Sequence, residues 1–204
     1  MTEEIVVVPT GTANLASVRS AFTRLGASVR LARGPSDVLE AEFVVLPGVG
    51  ALRAAIDQVD ALGLREPLRL RVEEQRPTLA ICLGFQMLCA ASEESPGALG
   101  LGCIDREIER FGSDLRVPHL GWNDVEPGPG SFLEPGQAYF AHSFLLRDVP
   151  EGWQVARTEY GSRFVSAVQR GAVLGCQFHP ELSGSYGERL LGRWLQNSRE
   201  ALRC

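Results

Sequence analysis

The 204-residue chain is 45% apolar and 22% charged with a formal net charge of −5, a composition that suits one well-buried core and leaves no clustered basic footprint for nucleic acid. Its apolar runs are too short to cross a bilayer, and Met1-Thr2-Glu3-Glu4 lacks the basic and apolar segments of a secretory signal, so a soluble cytoplasmic protein is expected, folded as a single domain over 1–204. Five cysteines, at 82, 89, 103, 176 and 204, are odd in number and form no C-x-x-C pair, which argues against a disulfide framework and a structural zinc site. A small polar substrate or a protein partner fits this balance. Cys89, Cys103 and Cys176 read as core.

In chain order, the continuous apolar run from Ile5 to Val8 predicts a strand covered on both faces, turned out by Pro9-Thr10-Gly11-Thr12. Leu15, Val18, Phe22 and Leu25 recur at helical spacing behind the cap candidate Asn14, and Gly26 is placed to end that helix. Ser28 to Leu31 returns as a strand, Ser36 is placed to cap a short helix, and Phe43 to Leu46 predicts a third buried strand. This alternation implies a doubly wound, mainly parallel sheet flanked by helices. Catalytic groups in such sheets gather at the carboxyl ends of the strands.

Directly after the third strand comes Pro47-Gly48-Val49-Gly50. Two glycines around one residue permit backbone orientations that aim N–H groups into a site, and Val49 N–H is the candidate oxyanion donor; a plain Gly-rich turn is the competing reading. Ala51 to Gln75 holds helix formers with periodic Leu and Ala, broken at Pro67, and reads as cover for the sheet.

Thr78 to Ile81, preceded by Pro77, predicts a short buried strand, and Gly84 to Ala90 a helix. Cys82 sits at the junction. A nucleophile on a sharp strand-to-helix turn stands above the sheet, Gly84 lets the turn approach without a Cβ clash, and Leu83 N–H at the helix start is free to donate to an oxyanion. The competing reading is a buried cysteine packed as a small hydrophobe. What favours the elbow is Gln177-Phe178-His179-Pro180-Glu181. Pro180 biases His179 toward extended backbone, where residues two apart share a side, so imidazole and carboxylate can lie adjacent. A cysteine nucleophile needs a histidine to take its proton, and the histidine needs an acceptor that fixes its tautomer. Cys82, His179 and Glu181 supply all three.

Between these motifs, Ser92 to Gly102 reads as a loop, Phe111 to Leu115 as a turn, and a strand-rich half follows with added antiparallel strands. Val117 to Asn123 gathers proline, histidine, glycine and tryptophan without clear period, and reads as a surface with a function or as a satisfied histidine beside a half-buried tryptophan. Ala138 to Phe144 predicts a strand carrying His142, either core or substrate contact. Trp153 to Thr158, Phe164 to Gln169 and Ala172 to Phe178 are short β-like runs consistent with antiparallel hairpins, and Leu190, Leu191, Trp194 and Leu195 form the stripe of a closing helix.

Ile81-Cys82-Leu83-Gly84-Phe85-Gln86 and Phe178-His179-Pro180-Glu181 resemble the elbow and remaining triad of the class I, or triad, glutamine amidotransferases. Asn14-Leu15-x-Ser17-Val18, Pro47-Gly48-Val49-Gly50, Pro118-His119-Leu120-Gly121-Trp122-Asn123 and Tyr139-Phe140-Ala141-His142-Ser143 are similar to the glutaminase subunits of imidazole glycerol phosphate synthases within that family. Ala80, Phe144 and Leu182 depart from the residues usual there, as does Pro9-Thr10-Gly11-Thr12-Ala13. The resemblance implies hydrolysis of glutamine through a cysteinyl thioester, an oxyanion hole from the Gly48 to Gly50 segment with Leu83, and substrate contacts from Gln86, His142 and Ser143. It also implies a (β/α)8-barrel cyclase subunit as partner, facing Asn14, Pro118, His119, Trp122, Asn123 and Tyr139, with no cofactor or metal. A reversible flip of the Gly48-Val49 peptide would gate such an enzyme. A freestanding cysteine hydrolase and a non-catalytic binding module on the same fold are the rival readings.

Overall fold

The computed structural model describes residues 3–11 and 14–202. Met1, Thr2, the Thr12-Ala13 end of the predicted first turn, and Cys204 lie outside the described residues. The first units are β1 (Glu4–Val7), α1 (Leu15–Arg24), β2 (Ser28–Leu31), α2 (Pro35–Glu40) and β3 (Phe43–Leu46). Asn14 caps α1 by accepting from Ser17 N–H at 3.2 Å, and Gly26 follows its end at φ +81°. The predicted cap Ser36 lies inside α2 instead. Pro35 opens that helix, where its missing N–H has no intrahelical use, and the cap position Gly34 makes no side-chain bond.

α3 (Leu52–Ala61) and α4 (Arg65–Glu73) follow. The break between them falls at Gly63, with φ +67°, and not at Pro67, which sits in the first turn of α4 where proline is tolerated. Next come β4 (Thr78–Ile81), α5 (Leu83–Met87), β5 (Cys89–Ser92) and β6 (Ile104–Arg110). The helix predicted to reach Ala90 stops early because the carbonyls of Met87, Cys89 and Ala90 accept from Leu101, Gly102 and Gly100 N–H at 2.7, 3.2 and 2.9 Å. A Cβ at Gly100 would lie 2.0 Å from the Cys89 oxygen, so only glycine allows this approach.

The remaining elements are β7 (His119–Pro127), β8 (Gly136–His142), β9 (Phe144–Leu145), β10 (Gln154–Tyr160), β11 (Ser162–Arg170), β12 (Val173–Cys176), a 3-10 turn at Pro180–Leu182, and α6 (Gly184–Ala201). Among the described residues they build a nine-stranded sheet in the order β2-β1-β3-β4-β12-β11-β10-β7-β8 and a three-stranded one, β5-β6-β9. Strands from β2 to β12 in that order run parallel, and those beyond are antiparallel. Alternate residues feed two cores. Ile5, Val7, Phe43 and Val45 pack with Phe22 and Trp194 on one face, and Val6, Val44 and Leu46 with Ile56, Val59 and Leu68 on the other.

β12 is antiparallel to β11 but parallel to β4, with Gly175 opposite Ala80 and Cys176 opposite Ile81. The hairpin reading of this run is therefore half right. The consequence is functional, because parallel neighbours end at the same edge. Whatever follows Ile81 and Cys176 must emerge side by side.

Candidate active site

Cys82 follows β4 at φ 52° and ψ −106°, a positive φ that a non-glycine residue holds only when its surroundings enforce it. Here its N–H donates to Cys176 O at 2.7 Å, and its carbonyl accepts from Gln86 N–H at 3.1 Å, starting α5. A Cβ at Gly84 would lie 1.9 Å from Leu46 O, so the elbow presses directly on β3. The sulfur, almost wholly buried, receives a hydrogen bond from Gln177 Nε2 at 3.8 Å and lies 4.0 Å from Ala141 O.

Three residues past β12, the chain delivers the imidazole. His179 N–H donates to Tyr139 O at 2.9 Å, and Ser183 Oγ–H donates to His179 O at 2.6 Å, so the backbone is clamped to β8. Glu181 Oε1 lies 2.8 Å from His179 Nδ1. Extended alternation does not bring them together as the sequence suggested; the 3-10 turn at Pro180–Leu182 folds the carboxylate back onto the ring. Burial opposes charge on His179, but hydrogen bonds to the Cys82 sulfur and to Glu181, with their coulombic attraction, push it up to about 10. Both partners favour the protonated ring.

A cavity of roughly 300 Å³ opens above the sulfur, walled by Val49, Gly50, Gln86, Glu94, His142 and Ser143 together with Cys82 and His179. Gln86 Nε2 donates to Phe144 O at 3.2 Å and to Gln177 Oε1 at 3.0 Å, so the same side chain lines the cavity and braces the residue that holds the sulfur. In the segment expected to supply oxyanion donors, Leu83 N–H donates to Gly48 O at 3.4 Å, so that N–H is taken up by a carbonyl oxygen. Gly48 is the residue that fits, since a Cβ there would meet Leu83 Cβ at 2.8 Å.

Pro118 and Val49 are exposed at the cavity wall; elsewhere Trp122 is exposed, Tyr139 is half-buried with its ring 6.1 Å from that of Trp122, and Leu120 and Leu182 add exposed apolar surface. Asn14 is exposed, and Asn123 is half-buried with its amide donating to Glu159 O at 2.8 Å. His119 is the exception to the expected facing surface. It is only 3% exposed, inside the sheet's core, with Nδ1 3.1 Å from His142 Nε2. Burial holds His119 down at about 4 and His142 at about 3, so both rings are neutral. The run Val117 to Asn123 is thus strand from His119 on, and His142 is both core and cavity wall. Among the described residues no cluster of His, Cys, Asp and Glu forms a metal site.

Gln177 and Glu94 carry no role in the sequence reading. Gln177 sits in the quoted histidine motif, two residues before the base, and that proximity was its signal. Glu94 lies in a loop of polar composition; only the fold brings its carboxylate to the cavity, where it also accepts from Leu52 N–H at 2.8 Å.

The glutamine amidotransferase class-I family matches residues 6–196. The imidazole glycerol phosphate synthase subunit HisH of Escherichia coli strain K12 is 42% identical over 200 residues, covering 94% of this chain and 98% of that protein. The subunit of the same name from Syntrophotalea carbinolica is 42% identical over 201 residues, covering 92% and 97%. The chloroplastic imidazole glycerol phosphate synthase hisHF of Arabidopsis thaliana is 38% identical over 199 residues, which is 94% of this chain and 34% of that longer protein. Among solved structures, a glutamine amidotransferase matches with a TM-score of 0.77 at 24% identity, covering 95% of this chain and 98% of that one. PurLQS from Thermotoga maritima matches with 0.73 at 18% identity, covering 99% and 100%. These structures share the fold.

Proposed function

The chain belongs to the glutamine amidotransferase class-I family, and from that premise we propose that it is the glutaminase subunit of an imidazole glycerol phosphate synthase, acting in histidine biosynthesis. The observation that carries the chemistry is the meeting of Cys82 and the His179–Glu181 pair at the shared carboxyl edge of β4 and β12. The Cys82 thiolate attacks the side-chain amide carbon of glutamine, and the carbonyl π electrons move onto oxygen. The imidazolium of His179 gives its proton to the departing nitrogen, the C–N bond breaks, and ammonia leaves a γ-glutamyl thioester. His179, now neutral, takes a proton from water as it attacks the thioester, and glutamate departs from a regenerated thiolate. Glu181 holds the ring's orientation and supports its charge.

Gln86, His142 and Ser143 are the substrate contacts in this reading, and the Glu94 carboxylate is placed to meet the α-ammonium. Leu83 and Val49 N–H groups form the oxyanion hole, with Gly48 and Gly50 supplying the backbone freedom. Because Gly48 O now faces Leu83 N–H, rotation of the Gly48–Val49 peptide must precede rapid turnover, and a partner that favours the rotated state would act as the switch.

Ammonia released into neutral water is mostly ammonium, which is no nucleophile, so the acceptor site must dock over the cavity. We assign that role to a (β/α)8-barrel cyclase subunit facing Asn14, Pro118, Trp122, Asn123 and Tyr139. The longer plant relative, of which this chain matches about a third, supports a second functional part. Residues 1–204 form one amidotransferase domain in this reading, supported by the family match over 6–196 and by two cores sharing one sheet. A free thiol nucleophile suits the reducing cytoplasm.

The test is glutamine hydrolysis with and without the ligand-loaded cyclase. Wild type should be slow alone and fast in the complex, Cys82→Ala inactive in both, and ammonium salts should restore synthase activity to the mutant complex. Equal rates with and without cyclase would remove the switch, and hydrolysis by Cys82→Ala would remove the mechanism.

A further inference from the structure

Behind the cavity wall runs a chain of buried polar groups whose proton positions have one solution. His142 Nδ1 lies 2.7 Å from Phe144 O, a carbonyl that can only accept, so the proton sits on Nδ1. The ring is neutral, which makes its Nε2 an acceptor. His119 Nδ1, at 3.1 Å from that nitrogen, must then be the donor. His119 Nε2 is left as an acceptor and meets Asn123 Nδ2 at 3.2 Å. At the other end, Phe144 O also accepts from Gln86 Nε2, which continues through Gln177 to the Cys82 sulfur at the distances given above.

The plane of the His119 ring is fixed as firmly as its proton. It is stacked between Phe140 and Tyr160, with centroids 4.7 and 4.1 Å away and planes tilted by 22° and 20°. A ring held on both faces points its Nδ1–H in one direction. That direction is the His142 lone pair.

We propose that His119 is a positioning residue of the glutaminase reaction: its Nδ1–H holds His142 in the Nδ1–H tautomer, and His142 in turn holds the Phe144 carbonyl and the 142–144 wall against glutamine. The proposal rests on the glutaminase reading for its kinetic consequence, while the tautomer stands independently of it. His119 touches neither glutamine nor the reacting atoms, since it lies one ring behind the cavity. Losing its donor leaves a buried acceptor on His142 and frees that ring to turn or change tautomer, which loosens the wall and, more weakly, the Gln86–Gln177 brace.

Two substitutions separate positioning from packing. His119→Leu fills the space between the two rings but has no donor. His119→Asn is smaller but keeps an N–H where Nδ1 stood. In the cyclase complex, His119→Leu should raise the KM for glutamine about tenfold, the range set by one unpaired buried acceptor, with kcat changed about threefold or less, and His119→Asn should recover most of the loss. A packing role predicts the reverse order, with leucine the better replacement. The chain has three histidines, so nitrogen-15 spectra of the side chains resolve each ring. Wild type should show two neutral Nδ1–H rings and one imidazolium, and His119→Leu should move His142 away from pure Nδ1–H. Finding His142 as the Nε2–H tautomer in wild type would overturn the proposal, as would a KM unmoved by His119→Leu. A wild-type complex that hydrolyses no glutamine would instead overturn the glutaminase reading, and the tautomer spectra would still decide the lock.

Discussion

On the β4 side of β12 the sheet is parallel, its inner strands β1, β3, β4 and β12 are largely buried, and its site depends on backbone shape: a cysteine held at positive φ, a glycine pressed on a carbonyl, a Gly48 carbonyl turned to Leu83 N–H. Beyond β11 the strands are antiparallel, β7 and β8 leave one face to solvent, and polar rings and amides are linked side chain to side chain. The three histidines divide along the same line. His179, between the Cys82 sulfur and a carboxylate, is pushed up; His119 and His142, buried among aromatic rings, are pushed down by that burial and neutral. The nucleophile stands where the backbone can be forced, and the half-exposed polar sheet face where side chains alternate.

This contrast predicts different failures. The largest is expected for Gly84→Ala. Its Cβ would meet backbone, 1.9 Å from Leu46 O, which cannot move without displacing β3, so unfolding free energy in urea should fall by more than about 3 kcal/mol. A loss below about 1 kcal/mol would mean the elbow is not rigid.

Acid should next reveal the neutral pair. Both rings have folded values below the ordinary 6.5, at about 4 and about 3, so the unfolded chain binds more protons in that window and stability falls as pH falls through it. The loss should be on the order of 2 kcal/mol per ring by pH 5, about 4 kcal/mol for the pair, and His119→Leu should show a shallower slope. His179 has the opposite sign. Its value is raised to about 10, so its contribution is complete below pH 6.5 and disappears as pH rises through 10. Urea titrations from pH 5 to 10 test both limbs.

Trp122 is 56% exposed, and Trp122→Ala should leave unfolding free energy within about 0.5 kcal/mol. Its cyclase affinity should drop about 30-fold, or roughly 2 kcal/mol, as expected for a central aromatic anchor. Binding left intact would move the docking face elsewhere. Smallest is Asn14→Ala, which removes the α1 cap at Ser17 N–H and should cost about 1 kcal/mol; Asn14→Asp should cost much less.

The parallel half was legible because its signals are local. Phe43 to Leu46 and Thr78 to Ile81 read as strands from continuous apolar runs, and Cys82 with Gly84 announces a turn that only small residues fit. The antiparallel half inverts the usual code. Its alternation is present at His119, Leu120 and Trp122, but the imidazole points in while leucine and tryptophan point out, so a surface reading of His119 was natural and wrong. Other misses were set by distant partners. β5 exists because the 100–102 backbone takes the carbonyls a longer helix would need. Arg71, in a helix read as plain cover, is fully buried because its guanidinium donates to the carbonyls of Val38, Ala41, Glu42 and Pro77, a set no local pattern foretells.

That a nucleophile forms where β4 and β12 end together is tested most directly by labelling with a glutamine-analogue electrophile and locating the modified cysteine by peptide mass. Among the described cysteines Cys82 is nearly buried, while Cys103 is more open, so indiscriminate alkylation would strike Cys103 before Cys82. The account predicts one label, on Cys82, prevented by excess glutamine and lost in His179→Asn. Label on Cys103 with Cys82 untouched, or labelling of Cys82 that glutamine does not slow, would contradict it.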